Sequence, residues 1–100
     1  MNFLREKQIE HSLVTAARKQ GGLALKFVSP SFAGMPDRLV LLPGGKLALV
    51  EVKAPGKKPR VLQVKRHEKL RELGFRVFVL DALEDIPGLL QTIAEGGDAQ

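Results

Sequence analysis

Apolar residues recur at helical spacing over the first twenty positions of the chain. The face that they form carries Ile9, Leu13, Ala16 and Ala17. Two consecutive glycines, Gly21 and Gly22, follow this segment. An apolar residue at every third or fourth position is typical of an amphipathic helix, and glycine is common where helices end. The pattern therefore predicts a helix over residues 3–20.

Short apolar segments bounded by glycine and proline follow through the middle of the chain. They predict strands over residues 23–28, 37–42, 46–53 and 75–80. Pro43, Gly44 and Gly45 predict a turn that joins the second and third strands in a hairpin. The third strand is apolar at consecutive positions, which predicts a central strand covered on both faces.

Two further helices complete the pattern. Residues 61–73 predict a helix that ends at Gly74, and residues 83–94 predict a weaker helix that starts near Pro87. The predicted order is α-β-β-β-α-β-α, an α/β fold in which helices flank a mixed sheet. One hundred residues are enough for one such domain, which we expect over residues 1–95. The glycine-rich residues 96–100 are expected to form a flexible tail.

Basic residues are concentrated in the first four fifths of the chain. Lys and Arg total 16 and Asp and Glu total 11, which gives a net charge of +5. All 16 basic residues lie within residues 1–80, where six acids oppose them and leave a charge of +10. A domain this basic favours a polyanion such as nucleic acid as its partner, although basic charge also serves solubility.

The composition excludes several kinds of protein. The chain has no cysteine, which excludes disulfides, thiolate zinc sites, iron–sulfur clusters and cysteine nucleophiles. The N-terminus has mixed charge and lacks the apolar segment of a signal peptide. The longest apolar run, residues 39–42, is too short to cross a bilayer. We therefore expect a cytoplasmic protein with no membrane partner.

Three of the charged residues in the second and third predicted strands are candidates for chemistry. Glu51 and Lys53 are two positions apart, so their side chains point to the same face of the third strand. A three-residue turn centred on Gly44 pairs residues whose numbers sum to 88, which places Asp37 opposite Glu51 with Cβ atoms about 5 Å apart. Carboxylates this close repel each other unless a cation such as Mg²⁺ lies between them. A salt bridge between Glu51 and Lys53 is the alternative interpretation.

These residues also carry a family resemblance. The run Gly34-Met35-Pro36-Asp37, followed after 13 residues by Glu51-Val52-Lys53, resembles the signature of the PD-(D/E)xK nucleases. The resemblance is strongest to the small, stand-alone VRR-NUC domains of phages and bacteria, and it extends from about Glu6 to Leu80. It implies a restriction-endonuclease-like α-β-β-β-α-β core and a metal-dependent phosphodiesterase that selects DNA by its structure. It also implies action in the bacterial or host cytoplasm.

The resemblance assigns roles to individual residues. It implies that Asp37 and Glu51 bind Mg²⁺ or Mn²⁺, with the Val52 carbonyl as a third ligand, and that Lys53 is the catalytic lysine. Gln63 matches a family glutamine near the active site and is expected to position Lys53 or the attacking water. The family also has a glutamate on the first helix. Glu6 fits this position best, and Glu10, one turn later on the same face, is its rival.

Basic residues around the predicted site are suited to neutralising phosphates. The candidate DNA contacts are Lys26, Arg38, Lys57, Lys58 and Arg60. In the helix that follows, Lys65, Arg66 and Lys69 fit DNA contacts and a solvated face equally well.

Four other residues are assigned to the surface or the core. His11 and His67 are isolated in helices and are expected at the surface rather than as ligands or general bases. Phe32 and Met35 precede Asp37 and are expected in the core, with a wedge at a DNA junction as the alternative.

Two functional hypotheses from different classes follow. The first is a Mg²⁺- or Mn²⁺-dependent endonuclease that hydrolyses DNA phosphodiesters with a metal-activated water and needs no organic cofactor. Some stand-alone VRR-NUC members are dimers that act on four-way junctions, and symmetrical cuts need two sites, so a C2 homodimer is expected. The alternatives are a flap nuclease or a non-catalytic module that binds double-stranded nucleic acid through its basic face. Acids inside an anion-binding site distinguish the hypotheses, since a pure binder gains nothing from them.

Overall fold

Helices and strands succeed one another along residues 5–96, which are the residues that the computed structural model describes. The elements are α1 (Glu6–Lys19), β1 (Leu23–Lys26), β2 (Arg38–Leu42), β3 (Lys46–Val52), α2 (Val61–Glu72), β4 (Val77–Leu80) and α3 (Ile86–Glu95). This order confirms the predicted fold class. Residues 3 and 4 of the predicted first helix, and residues 97–100 of the predicted tail, lie outside the described residues.

Most element boundaries differ from the predicted ones by one to three residues, and three of them have an instructive position. The last strand begins at Val77 rather than at residue 75, because Gly74 takes a φ of +97° and the Phe75 N–H donates to the Leu70 carbonyl at the end of α2. The first strand ends at Lys26, two residues early. The last helix begins at Ile86, after a 3₁₀ turn, and carries a proline in its first turn, where the missing N–H needs no partner.

The sheet has the strand order β1-β2-β3-β4. The two pairs formed by β1 with β2 and by β2 with β3 are antiparallel, whereas β3 and β4 are parallel. Arg38 pairs with Val50 and Leu39 with Leu49, which confirms the register expected from the three-residue turn. Extended by one position, this register sets Asp37 opposite Glu51.

Different helices cover the two faces of the sheet. One face packs against α1 and α3, in a core that includes Ile9, Leu13, Val40, Val50, Val52, Leu80, Leu90 and Ile93. On the other face, Leu49, Val77 and Leu70 of α2 cluster with Met35 and Leu39. Side chains alternate along a strand, so Glu51 lies on the same face of β3 as Leu49 and points toward α2.

The loop from β1 to β2 is held against α2. Gly34 has a φ of +89°, and a Cβ at this position would come within 3.0 Å of the Leu62 and Arg66 side chains. Glycine therefore allows the loop to pass close to the helix just before it reaches Asp37. No helix within residues 5–96 is both long and apolar enough to cross a membrane.

Candidate active site

Asp37 is fixed beside the end of the central strand. It immediately precedes β2, and its carbonyl accepts a hydrogen bond of 2.7 Å from the Phe27 N–H. Its side-chain Oδ2 accepts a hydrogen bond of 3.0 Å from the N–H of Val52, the last residue of β3. The carboxylate is thus held where the ends of β2 and β3 meet.

Glu51 is an acid in the interior of the protein. Glu51 is 1% exposed, although all other residues of β3 from Leu47 onward are apolar. Its Oε2 accepts a hydrogen bond of 2.9 Å from Gln63 Nε2 and lies 3.5 Å from Lys53 Nζ. Its Oε1 is buried and has no hydrogen-bond partner within the described part of the chain. Burying a charge with one oxygen unpartnered is costly, so this side chain is unlike an ordinary surface salt bridge.

The two carboxylates oppose each other's ionisation. Burial, followed by the negative charge of Asp37, raises the pKa of Glu51 to about 7, and Lys53 acts in the opposite direction. A carboxyl with such a pKa is poised between its charged and neutral forms near neutral pH. A cation bound between the carboxylates would favour the charged form of Glu51.

The two glutamates at the start of α1 have different surroundings. Partial desolvation and the charge of Asp37 raise the pKa of Glu6, while Lys53 lowers it, so Glu6 lies within electrostatic reach of both residues. Glu10 instead pairs with Arg38, with 3.1 Å between Oε2 and Nε. Arg38 also donates to the Ala24 carbonyl. Glu10 is thus engaged with Arg38, a candidate DNA contact, which holds α1 to the sheet, whereas Glu6 is exposed.

Gln63 is oriented by two hydrogen bonds. Its Oε1 accepts a bond of 2.8 Å from the Arg60 N–H at the start of α2, and its Nε2 donates to Glu51. The capping bond and the bond to the acid together fix which way the amide faces. Gln63 therefore hydrogen-bonds to Glu51, whereas the sequence predicted a role in positioning Lys53 or the attacking water.

His67 is buried beside Glu51. The expectation of a surface residue is wrong, because His67 is 3% exposed and its Nε2 lies 3.7 Å from Glu51 Oε1. Burial, followed by the charges of Arg71 and Lys53, lowers the pKa of His67. The overlooked signal was its spacing, since it follows Gln63 by four positions and so faces the same way from α2. His11 is exposed, as predicted.

The loop before Asp37 divides between core and surface. Met35 packs against the cluster under α2, as expected. Phe32, also expected in the core, is 45% exposed instead, and the Arg66 guanidinium lies 3.9 Å from its ring centroid. Arg66 Nε also donates to the Ala33 carbonyl, so this arginine fastens the loop to α2.

The remaining candidate DNA contacts are exposed. Lys57, Lys58 and Arg60 lie on the loop between β3 and α2, directly after Lys53, and Lys26 is exposed at the end of β1. The loop thus presents positive charge next to the two acids. Such charge is suited to holding a phosphate backbone close to the site.

Asp37 and Glu51 offer oxygen ligands for a metal ion but do not surround one completely. Within residues 5–96, no group of three His, Asp or Glu side chains is close enough together to hold a metal ion by itself. Asp37 and Glu51 nevertheless fit a hard divalent ion, because Glu51 has a buried oxygen without a partner and both are oxygen donors. Mg²⁺ in particular is commonly bound by one or two carboxylates, with water and substrate phosphate completing its shell.

Comparisons with known proteins agree with this picture. No family model matches the chain. "Putative nuclease p44" of Acyrthosiphon pisum secondary endosymbiont phage 1 is 50% identical over 93 residues, which are 93% of this chain and 99% of that protein. A solved structure described as a VRR_NUC domain has a TM-score of 0.79 and 31% identity, covering 86% of this chain and 94% of that one.

The four-stranded mixed sheet and its flanking helices place the chain in the class of restriction-endonuclease-like nucleases. Nucleases with this fold generally use divalent metal ions. Within that class, the similarity along nearly the whole of a solved domain identifies the family. The chain belongs to the VRR-NUC family. It is a nuclease, and its substrate is nucleic acid.

Proposed function

We propose that this nuclease is a Mg²⁺- or Mn²⁺-dependent endonuclease that hydrolyses phosphodiester bonds in branched DNA, including four-way junctions. The observation that carries the proposal is the buried Glu51 carboxylate, opposite Asp37 and 3.5 Å from the Lys53 ammonium. Such a group is costly to the fold, and its chemistry matches metal-assisted phosphodiester hydrolysis.

Each residue of the site has a proposed task. Asp37 and Glu51 would hold the metal ion, with the Val52 carbonyl as a further ligand. The Glu6 carboxylate is not close enough to both acids to bind the ion with them directly, so it would reach the ion through a water molecule. The ion, when bound, lowers the pKa of a water molecule and neutralises charge on the scissile phosphate. Lys53 orients the attacking water and stabilises the charge that develops on the phosphate. Gln63 keeps Glu51 in place through its hydrogen bond of 2.9 Å.

The protein is proposed to act as a homodimer. One chain carries one such site, and symmetrical cuts across a four-way junction need two sites related by a two-fold axis. Leu23 and Leu25 are exposed on β1, which is an edge strand of the sheet. An edge strand with exposed apolar side chains is suited to contact with a second copy. The phage relative supports action in the cytoplasm of a bacterial host.

Metal removal is expected to stop cleavage completely. Labelled linear duplex, 5′ flap, 3′ flap and four-way junction DNA are incubated with the protein in EDTA and then with excess Mg²⁺ or Mn²⁺. We expect no products in EDTA, restored cleavage with either metal, and symmetrically paired cuts in the junction. Undiminished cleavage in EDTA would contradict the metal mechanism, and equal cleavage of all four DNAs would contradict selection of branched structure.

The loop lysines are expected to account for part of the salt dependence of DNA binding. Each phosphate contact contributes about 0.9 to the slope of log K against log salt concentration. The double variant Lys57→Ala/Lys58→Ala should therefore reduce that slope by about 2, measured by fluorescence anisotropy on a catalytically inactive background. Lys19→Ala/Lys46→Ala is the matched control. Lys19 ends α1 and Lys46 begins β3, whereas the proposed site lies at the other end of each element. An equal loss in the control would show that the loop has no special role.

A further inference from the structure

Two buried polar atoms face each other without hydrogen-bond partners on the α2 side of the sheet. Within residues 5–96, Glu51 Oε1 and His67 Nε2 are the buried side-chain atoms in this condition, and they lie 3.7 Å apart. Nearly all buried polar atoms in proteins are hydrogen-bonded. Two unpartnered atoms side by side therefore point to a contact that a small side-chain movement completes.

The geometry of α2 explains why the pair meets. Gln63 and His67 are four positions apart, so both side chains project from the same face of the helix toward β3. Gln63 already donates to Glu51 Oε2 at 2.9 Å. His67 faces the other oxygen of the same carboxylate, and a distance of 3.7 Å is about 0.7 Å longer than a good N–H···O bond.

We propose that His67 is a positioning residue of this nuclease, which donates from Nε2 to Glu51 Oε1 and fixes the carboxylate plane for metal binding. Gln63 and His67 then hold the two oxygens of Glu51 from a single helix, and because each carboxylate oxygen has two lone pairs, one remains free for the ion. The role does not depend on titration of the ring, because the cationic ring and the neutral Nε2–H tautomer both carry a proton at this atom. This inference rests on the proposed metal-dependent function.

The expected benefit is preorganisation. A carboxylate held at both oxygens loses little freedom when it binds an ion, and partners of metal ligands affect metal affinity by about ten- to a hundredfold. Both residues are almost completely buried, so water is excluded from competing for this contact.

A near-isosteric pair of variants separates hydrogen bonding from packing. His67→Gln keeps a donor close to the original Nε2, whereas His67→Met fills a similar volume without one. We expect His67→Met to weaken Mn²⁺ binding, measured by calorimetry without DNA, by at least about tenfold. It should also lower kcat more than it raises KM. His67→Gln should stay within about threefold of wild type. Melting temperatures recorded in parallel show that both variants fold.

A measurement on the unmodified protein covers the case in which a variant fails to fold. The chain has two histidines, so long-range ¹H–¹⁵N spectra at pH 8 distinguish His67 from the exposed His11. We expect a protonated Nε2 on His67. A ring protonated only at Nδ1, or equal Mn²⁺ affinity in wild type and His67→Met, would overturn the positioning role. Failure of the wild type to bind Mn²⁺ or cut DNA would instead overturn the proposed function beneath it.

Discussion

We expect Asp37→Asn to reduce DNA cleavage at least about a thousandfold while leaving DNA binding intact. The substitution removes a negative charge that the proposed metal ion needs. The asparagine oxygen can still accept the hydrogen bond that Asp37 Oδ2 accepts from the Val52 N–H at 3.0 Å. The end of β3 is therefore expected to keep its structure, so the loss should appear in kcat rather than in folding or binding.

Asp85→Asn is the matched control for this variant. Asp85 is exposed and precedes α3, which packs on the opposite face of the sheet from α2. The control makes the same chemical change away from the two carboxylates, and it should cleave at the wild-type rate. Comparable activity in Asp37→Asn and wild type would remove Asp37 from the catalytic machinery.

The second large effect concerns stability in the absence of metal. Because the folded-state pKa of Glu51 is raised from 4.5 to about 7, its contribution to stability is present below pH 4.5 and is lost as the pH rises toward 7. A pKa change of this size corresponds to on the order of 3 kcal/mol. Glu51→Gln removes the ionisation, so we expect it to melt roughly 10–20 °C above wild type at pH 8 and near wild type at pH 4.5.

Thermal unfolding of the EDTA-treated proteins at the two pH values measures this difference. Glu68→Gln, an exposed position on α2, is the matched control and should show no comparable gain. The same Glu51→Gln variant should be inactive, because the acid that destabilises the metal-free fold is the one proposed to bind the ion. A variant that melts at the same temperature as wild type at pH 8 would contradict the electrostatic picture of the buried acid.

The placement of Asp37 opposite Glu51 could be predicted because the two strands of a hairpin are close in sequence and joined by a short turn. Pro43, Gly44 and Gly45 mark a three-residue turn, and the turn length alone fixes the register of β2 against β3. The central position of β3 in the sheet could also be predicted, because its apolar residues occupy both faces of the strand.

Choices that depend on distant contacts could not be made from sequence. Glu6 and Glu10 share one face of α1, and contacts with residues distant in sequence separate them. Glu10 pairs with Arg38, 28 positions away, whereas the charges of Asp37 and Lys53 act on Glu6. The burial of His67 likewise depends on how α2 docks against β3. The four-residue spacing places His67 on the same face of α2 as Gln63, but only the docking buries that face.

The charge count also overstated what is available to DNA. Several arginines donate to backbone carbonyls of neighbouring loops, strands and helices and so hold these elements together, namely Arg38, Arg66, Arg71 and Arg76. Arginine is suited to such contacts because its guanidinium carries several donors in a fixed plane. The exposed positive charge beside the site is therefore carried by Lys57, Lys58 and Arg60.

We propose that the site formed by Asp37, Glu51 and Lys53 cuts DNA. The most direct test compares cleavage of a labelled four-way junction by wild type and by Lys53→Ala, side by side in Mn²⁺. Junction binding by both proteins is measured in the same buffer with Ca²⁺ in place of Mn²⁺. We expect wild type to give discrete paired products, and Lys53→Ala to bind the junction equally well and leave it uncut. Cleavage by Lys53→Ala at the wild-type rate, or an intact junction with wild type, would contradict this assignment.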